Sequence, residues 1–255
     1  MADRALRKAA SALLTAPFGT INGARTDERA AALTFDDGPD PSHTPAILDV
    51  LAARGVTATF FMIGHRAAAH RALARRIVSE GHEVGLHGHD HLPLPLLTAR
   101  SIMERVRGGR RVLEDVLGRA VTVYRPPHGA QTMRTYLLTR MAGLQVVGWT
   151  ALCQDWKPFE IDAIAARAAD RLTPGGILLL HDYVEPDVTK PEPPPTFDRA
   201  AMVAAVLERT AARGFSFSSV AALTTRWPAR RTLWFTRRAR LNQLALTEER
   251  RASRH

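Results

Sequence analysis

Seven short apolar runs alternate with six longer segments whose apolar residues recur at helical spacing, and this beat limits what the 255-residue chain can become. The runs span 31–37, 57–64, 82–87, 121–127, 144–152, 175–182 and 215–223; the helical segments span 44–55, 70–81, 98–118, 132–143, 162–172 and 197–214. Strands in series with a helix between each pair must run parallel, because a crossover returns the chain to the same edge. The expectation is an α/β fold with about seven parallel strands, closed as a (β/α) barrel in preference to a doubly wound sheet. "GGILLLHD" is continuously apolar, as a strand covered on both faces would be. Thr44 is the candidate N-cap of the first helix, with Pro45 in its first turn and Gly55 at its end; Gly81 closes the second helix. Gly108 and Gly109 mark a candidate break in the third.

In parallel α/β folds the loops after the strands converge on one cleft, so the residues at strand ends carry the chemistry. They are Asp36, Asp37 and Gly38; His87, His89 and His91; Arg125 to Gly129; Asp155 and Trp156; and His181 with Asp182. Alone, each has an ordinary explanation, such as a turn at Asp-Asp-Gly-Pro or a hydrogen-bonded histidine. Their convergence at one end of the strands argues for a site. His87 and His91 are four apart, a spacing that puts both imidazoles on one side of a helical turn or of a strand. His89 shares that side only if the segment stays extended, and otherwise points elsewhere; His82 reads as a strand-entry residue. Two imidazoles, one carboxylate and an open position suit Zn²⁺, and also Co, Ni, Fe or Mn. Either Asp36 or Asp37 can supply the carboxylate, leaving its neighbour as a base.

The motifs "TFDDG", His87-x-x-x-His91, "RPPHG", "QDW" and "LLH" resemble, in order and spacing, those of the polysaccharide deacetylase family, also called the NodB homology or carbohydrate esterase 4 family. The resemblance covers about residues 30 to 224. It implies a distorted (β/α) barrel and a metal-dependent hydrolase that removes N-acetyl, sometimes O-acetyl, groups from amino sugars or N-acetylglucosamine-containing glycans. Carried over motif by motif, it implies Asp37, His87 and His91 as metal ligands and Asp36 as general base. Arg125 would hold Asp36, His181 would be the general acid and Asp155 its orienting partner, while Trp156 and Leu179 would shape the acetyl pocket. Three positions depart from the pattern, one of them His89, which could offer an alternative ligand. His128 stands where an aromatic is common, keeping a backbone donor but losing a stacking surface, and Leu152 stands at the first aspartate of "D-x-x-D-W". The changes at Leu152 and His128 keep open a catalytically inactive glycan-binding barrel, and because an Asp-His-His metal site can serve other chemistry, a metal-dependent hydrolase of other amides or esters stays open too.

The flanks read as an N-terminal leader over 1–29 and a basic C-terminal tail over 225–255. No run of eighteen apolar residues exists to span a membrane, and Cys153 is the sole cysteine, so no intrachain disulfide can form. The leader is a weak imitation of a secretory signal, with Arg4, Arg7 and Lys8 before a stretch interrupted at Thr15 and Pro17. The formal charge of +10 invites a nucleic-acid reading, which two facts oppose. Lysine is confined to Lys8, Lys157 and Lys190, and from Arg226 onward nine arginines face only Glu248 and Glu249. Attraction to anionic lipid headgroups or an anionic substrate fits better. The expected partner is an acetylated amino sugar, small or lipid-linked, with the chain in the cytoplasm and in peripheral contact with a membrane through its basic termini. The Pro-rich stretch 183–197 is expected to form a rim over the cleft.

Overall fold

The computed structural model describes residues 18–185 and 195–252. Residues 1–17 of the leader and 186–194 of the Pro-rich stretch lie outside the described residues.

The strands are β1 (Thr20–Ala24), β2 (Ala30–Asp36), β3 (Thr59–Met62), β4 (Glu83–Leu86), β5 (Val123–Tyr124), β6 (Gln145–Val146), β7 (Ala151–Leu152), β8 (Ile177–His181), β9 (Ser216–Ser218) and β10 (Ala229–Thr232). Seven of them form a parallel sheet in the order β6-β5-β4-β3-β2-β8-β7, curled into a half-barrel, with β9 beside the start of β2. Every residue of β2 is buried, because both of its faces are covered. Ala31, Leu33 and Phe35 point outward into the layer shared with the helices, while Ala30 and Ala32 belong to a separate inner cluster with Phe61, Val123, Val147 and Ile177. The alternation carries Thr34 and Asp36 to the inner face as well.

The run 144–152 is the one place where an expected strand divides. Its ends pair at opposite edges of the sheet, β6 with β5 and β7 with β8, and residues 147–150 cross the open seam between them. Gly148 makes the crossing: its N–H donates to the Ile21 carbonyl (2.8 Å), and a Cβ there would collide with the Asn22 side chain. Outside the seam β1 pairs antiparallel with β10. Residues on the two flanks of the barrel motif, read from sequence as leader and tail, thus join into a ribbon that covers the gap.

The helices are α1 (Thr44–Ala53), α2 (Gly64–Ala69), α3 (Arg71–Ser79), α4 (Ala99–Leu117), α5 (Met133–Met141), α6 (Ile161–Arg171), α7 (Arg199–Ala211), α8 (Val220–Arg226) and α9 (Arg238–Ala252). Three expectations are corrected. Thr44 is the first helical residue and not the cap; its hydroxyl accepts from the Asp40 N–H and donates to Asp182 Oδ2 (2.6 Å), so it ties two loops together. Helix α4 runs unbroken through Gly108 and Gly109, because Gly109 is a packing site where a Cβ would come within 3.0 Å of the His89 nitrogen. The last run is strand only to Ser218; Ser219 then accepts from the Ala222 N–H and caps α8.

Candidate active site

Asp36 and Asp37 leave β2 in different directions because Asp37 has φ +76, a left-handed conformation that a side-chain-bearing residue rarely adopts. Among the described residues the other positive-φ residues with side chains are His128 and Gln154, one in the "RPPHG" loop and one beside Asp155. All three lie where sequence placed the chemistry, the distribution expected when backbone strain is held by a functional constraint.

His87 directly follows β4, and Gly88, at φ +91, turns the chain so that His91 comes back over it with ring centroids 5.2 Å apart. One ligand atom from each of Asp37, His87 and His91 lies within 4.8 Å of the others. Both imidazole Nε2 atoms are 3.2 Å from Asp37 Oδ1. His87 Nδ1 sits 2.9 Å from the Arg125 carbonyl, which can only accept, so the proton is on Nδ1 and the Nε2 lone pair faces the carboxylate. Burial pushes the pKa of His91 well down, although Asp37 opposes that shift. Asp37 Oδ1 is buried with no hydrogen-bond donor. Three buried acceptors aimed at one point repel one another unless a cation lies between them, and the donor set is that of a Zn²⁺-type site. The residues present fit a divalent metal.

His89 turns away from this cluster. Its carbonyl accepts from the His65 backbone N–H (3.0 Å), its ring packs near Gly64 and its backbone lies against Gly109. His82 is a structural residue whose Nδ1 accepts from the Ala58 N–H.

Asp36 faces inward, where the fully buried Arg125 meets it at 2.7 Å. The same guanidinium donates to Thr34 Oγ1 (2.8 Å) and the Gly148 carbonyl (2.8 Å) and stacks on Phe61 (4.1 Å). Its Nε is buried without a partner, so the residues present leave one donor unused. Leu152, at the position where an acid was expected, pairs along β7 with Leu179.

On the far side, His181 ends β8. Asp155, fully buried, accepts from its Nδ1 (2.9 Å) through Oδ1 and from its backbone N–H (2.7 Å) through Oδ2. Burial lowers the His181 pKa, but the charge and hydrogen bond of Asp155, helped by Asp37 and Asp36, outweigh it and raise the pKa to about 9. Trp156 meets the His181 ring edge-on at 5.3 Å. Leu179 lies two residues before His181 on the strand and so shares its face. His128 is exposed; its ring lies 4.2 Å from that of His91, and its Nε2 lies 3.2 Å from the His91 carbonyl. The first part of the Pro-rich stretch reaches the site, since the Glu185 N–H donates to Asp37 Oδ2 (3.3 Å).

Arg199 was missed in the sequence, and Asp182 was noted there at a strand end without a role. Arg199, buried at the start of α7, donates to the His181 carbonyl (3.0 Å) and lies 3.5 Å from Asp155. Asp182 is buried behind the Asp37 loop, and its burial, together with the Asp37 charge, raises its pKa to about 7 despite the Thr44 hydrogen bond. Nothing local distinguishes an arginine opening an Ala-rich helix, whereas Asp182 directly after a continuous apolar strand was a visible signal.

A parallel half-barrel with an Asp-His-His cluster between an Arg-held aspartate and an Asp-held histidine defines a metal-dependent hydrolase. The chain belongs to the polysaccharide deacetylase family, whose profile matches residues 23–147. A chitooligosaccharide deacetylase of Sinorhizobium fredii is 38% identical over 169 residues, 66% of this chain and 79% of that protein. A peptidoglycan-N-acetylglucosamine deacetylase of Listeria monocytogenes is 34% identical over 159 residues, 62% of this chain and 33% of the relative. A solved peptidoglycan N-acetylglucosamine deacetylase, Bc1960, superposes with a TM-score of 0.74 at 23% identity over 88% of this chain and all of that one, a likeness of fold.

Proposed function

We propose that the protein hydrolyses the N-acetyl group of an N-acetylglucosamine-containing saccharide, releasing acetate and a free amine. One observation carries the reading: Asp37, His87 and His91 offer three ligand atoms within 4.8 Å, between Arg125-held Asp36 and Asp155-held His181. The names of the relatives support the substrate class. Zn²⁺ suits two imidazoles and a carboxylate, and such a metal supplies Lewis acidity to polarise the amide carbonyl and acidify water.

The residues divide the remaining work. Asp36 accepts the proton of the attacking water, and Arg125 keeps its carboxylate aimed at the mouth. The backbone N–H of His128 receives the charge that develops on the former carbonyl oxygen, a donor worth roughly 2.7–4 kcal/mol where such sites have been dissected. An amine leaves only when protonated, and His181, with its pKa near 9, carries that proton at neutral pH. Trp156 and Leu179 line the side where the acetyl methyl must sit. The His128 ring covers His91 instead of offering a broad stacking surface, which favours a short saccharide over a long polymer laid across the mouth.

Acetate release from a soluble chitooligosaccharide tests the reading. Release should stop with a chelator, return with Zn²⁺ or Co²⁺, and be lost in Asp36→Asn while metal is retained. No release with any divalent metal would leave a glycan-binding barrel.

A further inference from the structure

The large apolar side chains that stay exposed among the described residues are Phe18, Leu96, Met133, Leu137, Met141, Leu233, Phe235 and Leu246. They are not scattered. Met133, Leu137 and Met141 stand at four-residue spacing on α5, whose opposite face buries Thr135, Tyr136 and Thr139. A surface helix normally turns polar residues outward, and this one turns apolar residues outward. Leu96 lies in the 94–96 turn, which touches both α5 and α9, and Leu246 lies on α9. Leu233 and Phe235 flank Trp234, whose carbonyl accepts from Gln131 just before α5. Phe18 precedes Gly19, whose N–H donates to the Tyr136 hydroxyl of α5 (2.5 Å). The 94–96 turn, α5, α9 and residues 233–235 therefore adjoin one another and carry seven of the eight, all but Phe18.

The charge on that face is predominantly positive. Residues 131–142 and 230–246 hold seven arginines and no aspartate or glutamate, the rest of α9 adds Arg250 and Arg251 against Glu248 and Glu249, and residues 92–97 hold no charge at all. Arg134, Arg237, Arg238 and Arg240 are exposed, and among the described residues none of the seven pairs with a carboxylate. Apolar side chains among an excess of arginines match an anionic lipid surface: the side chains enter the acyl boundary and the guanidinium groups meet headgroup phosphates. A nucleic acid would use the arginines but leave the methionines and leucines in water. No helix among the described residues is long and apolar enough to cross a membrane, so the contact would be peripheral.

The face also borders the cleft. Thr236 donates to the carbonyls of Gln131 (2.7 Å) and Gly129 (3.4 Å) in the loop that carries His128.

We propose that the face formed by the 94–96 turn, α5, residues 233–235 and α9 docks on an anionic phospholipid bilayer, which places the mouth of the cleft at the membrane surface. A protein seated this way meets sugars carried on lipids.

The docking stands independently of the reaction, and its test separates the two. The full chain is sedimented with vesicles of phosphatidylcholine alone and of phosphatidylcholine with phosphatidylglycerol. Binding is expected only to the anionic vesicles and should weaken with added salt. Each arginine near the surface contributes about a fivefold change in affinity, so the double variant Arg238→Ser/Arg240→Ser should bind about 30-fold more weakly. Leu137→Ser/Met141→Ser should also lose binding, while both double variants release acetate from a soluble chitooligosaccharide as the parent does. Equal binding to both vesicle types, or binding to neither, overturns the proposal. So does self-association in solution that Leu137→Ser/Met141→Ser abolishes, since the face would then be an interface between copies of this chain.

Discussion

Asp155→Asn isolates the acid half of the site. Asp155 holds His181 by two hydrogen bonds, at 2.9 Å to Nδ1 and 2.7 Å to the backbone N–H, and its negative charge is the largest influence raising an imidazole pKa that burial would otherwise depress. Asparagine occupies the same volume, but it has one accepting oxygen and no charge. An opposite charge at this range typically moves a pKa by ~1–3 units, so the His181 pKa should fall from about 9 toward the value of a free imidazole. The sign follows from the role. The leaving amine needs the protonated ring, so the rate falls as pH rises through the His181 pKa, and lowering that pKa moves the falling limb to lower pH. With saturating soluble chitooligosaccharide, the basic limb of kcat should therefore move down by ~1–3 units, with each unit worth about 1.4 kcal/mol of lost proton affinity. Circular dichroism must accompany the assay, because Arg199 loses the carboxylate 3.5 Å away. A folded variant with parent activity and an unmoved basic limb would refute His181 as the proton donor.

Other perturbations address the metal cluster and the frame. His91→Ala removes one of three converging ligand atoms, so zinc affinity measured by chelator competition should fall by more than the roughly 10–100-fold that loss of a ligand's hydrogen-bond partner costs; unchanged affinity would remove His91 from the site. The adjacent glycines of α4 should behave oppositely in urea unfolding. Gly108→Ala enters open space and should stabilise by about 1 kcal/mol through helix propensity. Gly109→Ala drives a Cβ to 3.0 Å from the His89 nitrogen and 3.1 Å from a Leu86 methyl, and should destabilise by ~1–3 kcal/mol. Similar effects of the two would mean that Gly109 is not a packing contact.

Much of the site was legible because its parts are local. His87 and His91 fall within one turn of chain after a strand, and Asp36 and Asp37 are adjacent, so spacing alone brought the candidates near each other. Thr98 and Thr132 cap α4 and α5 and Gly118 ends α4, and such caps act within a few residues of themselves. Thr44 misled for the complementary reason: its hydroxyl serves Asp40 and Asp182, and the second of these lies 138 residues away.

The amino-acid order by itself determined the alternation of strand and helix, the end of the sheet at which the chemistry gathers and the residue types that could hold a metal, since periodicity and motif spacing are short-range properties. Only the tertiary structure decided that residues 144–152 part to opposite edges of the sheet, that β1 and β10 cover the seam, that Arg199 lies buried behind His181 and Asp182 behind the Asp37 loop, and that the outward face of α5 is left apolar. Those features depend on which distant segments pair and in what register. A one-residue slip would turn each side chain to the other face, and no local pattern encodes it.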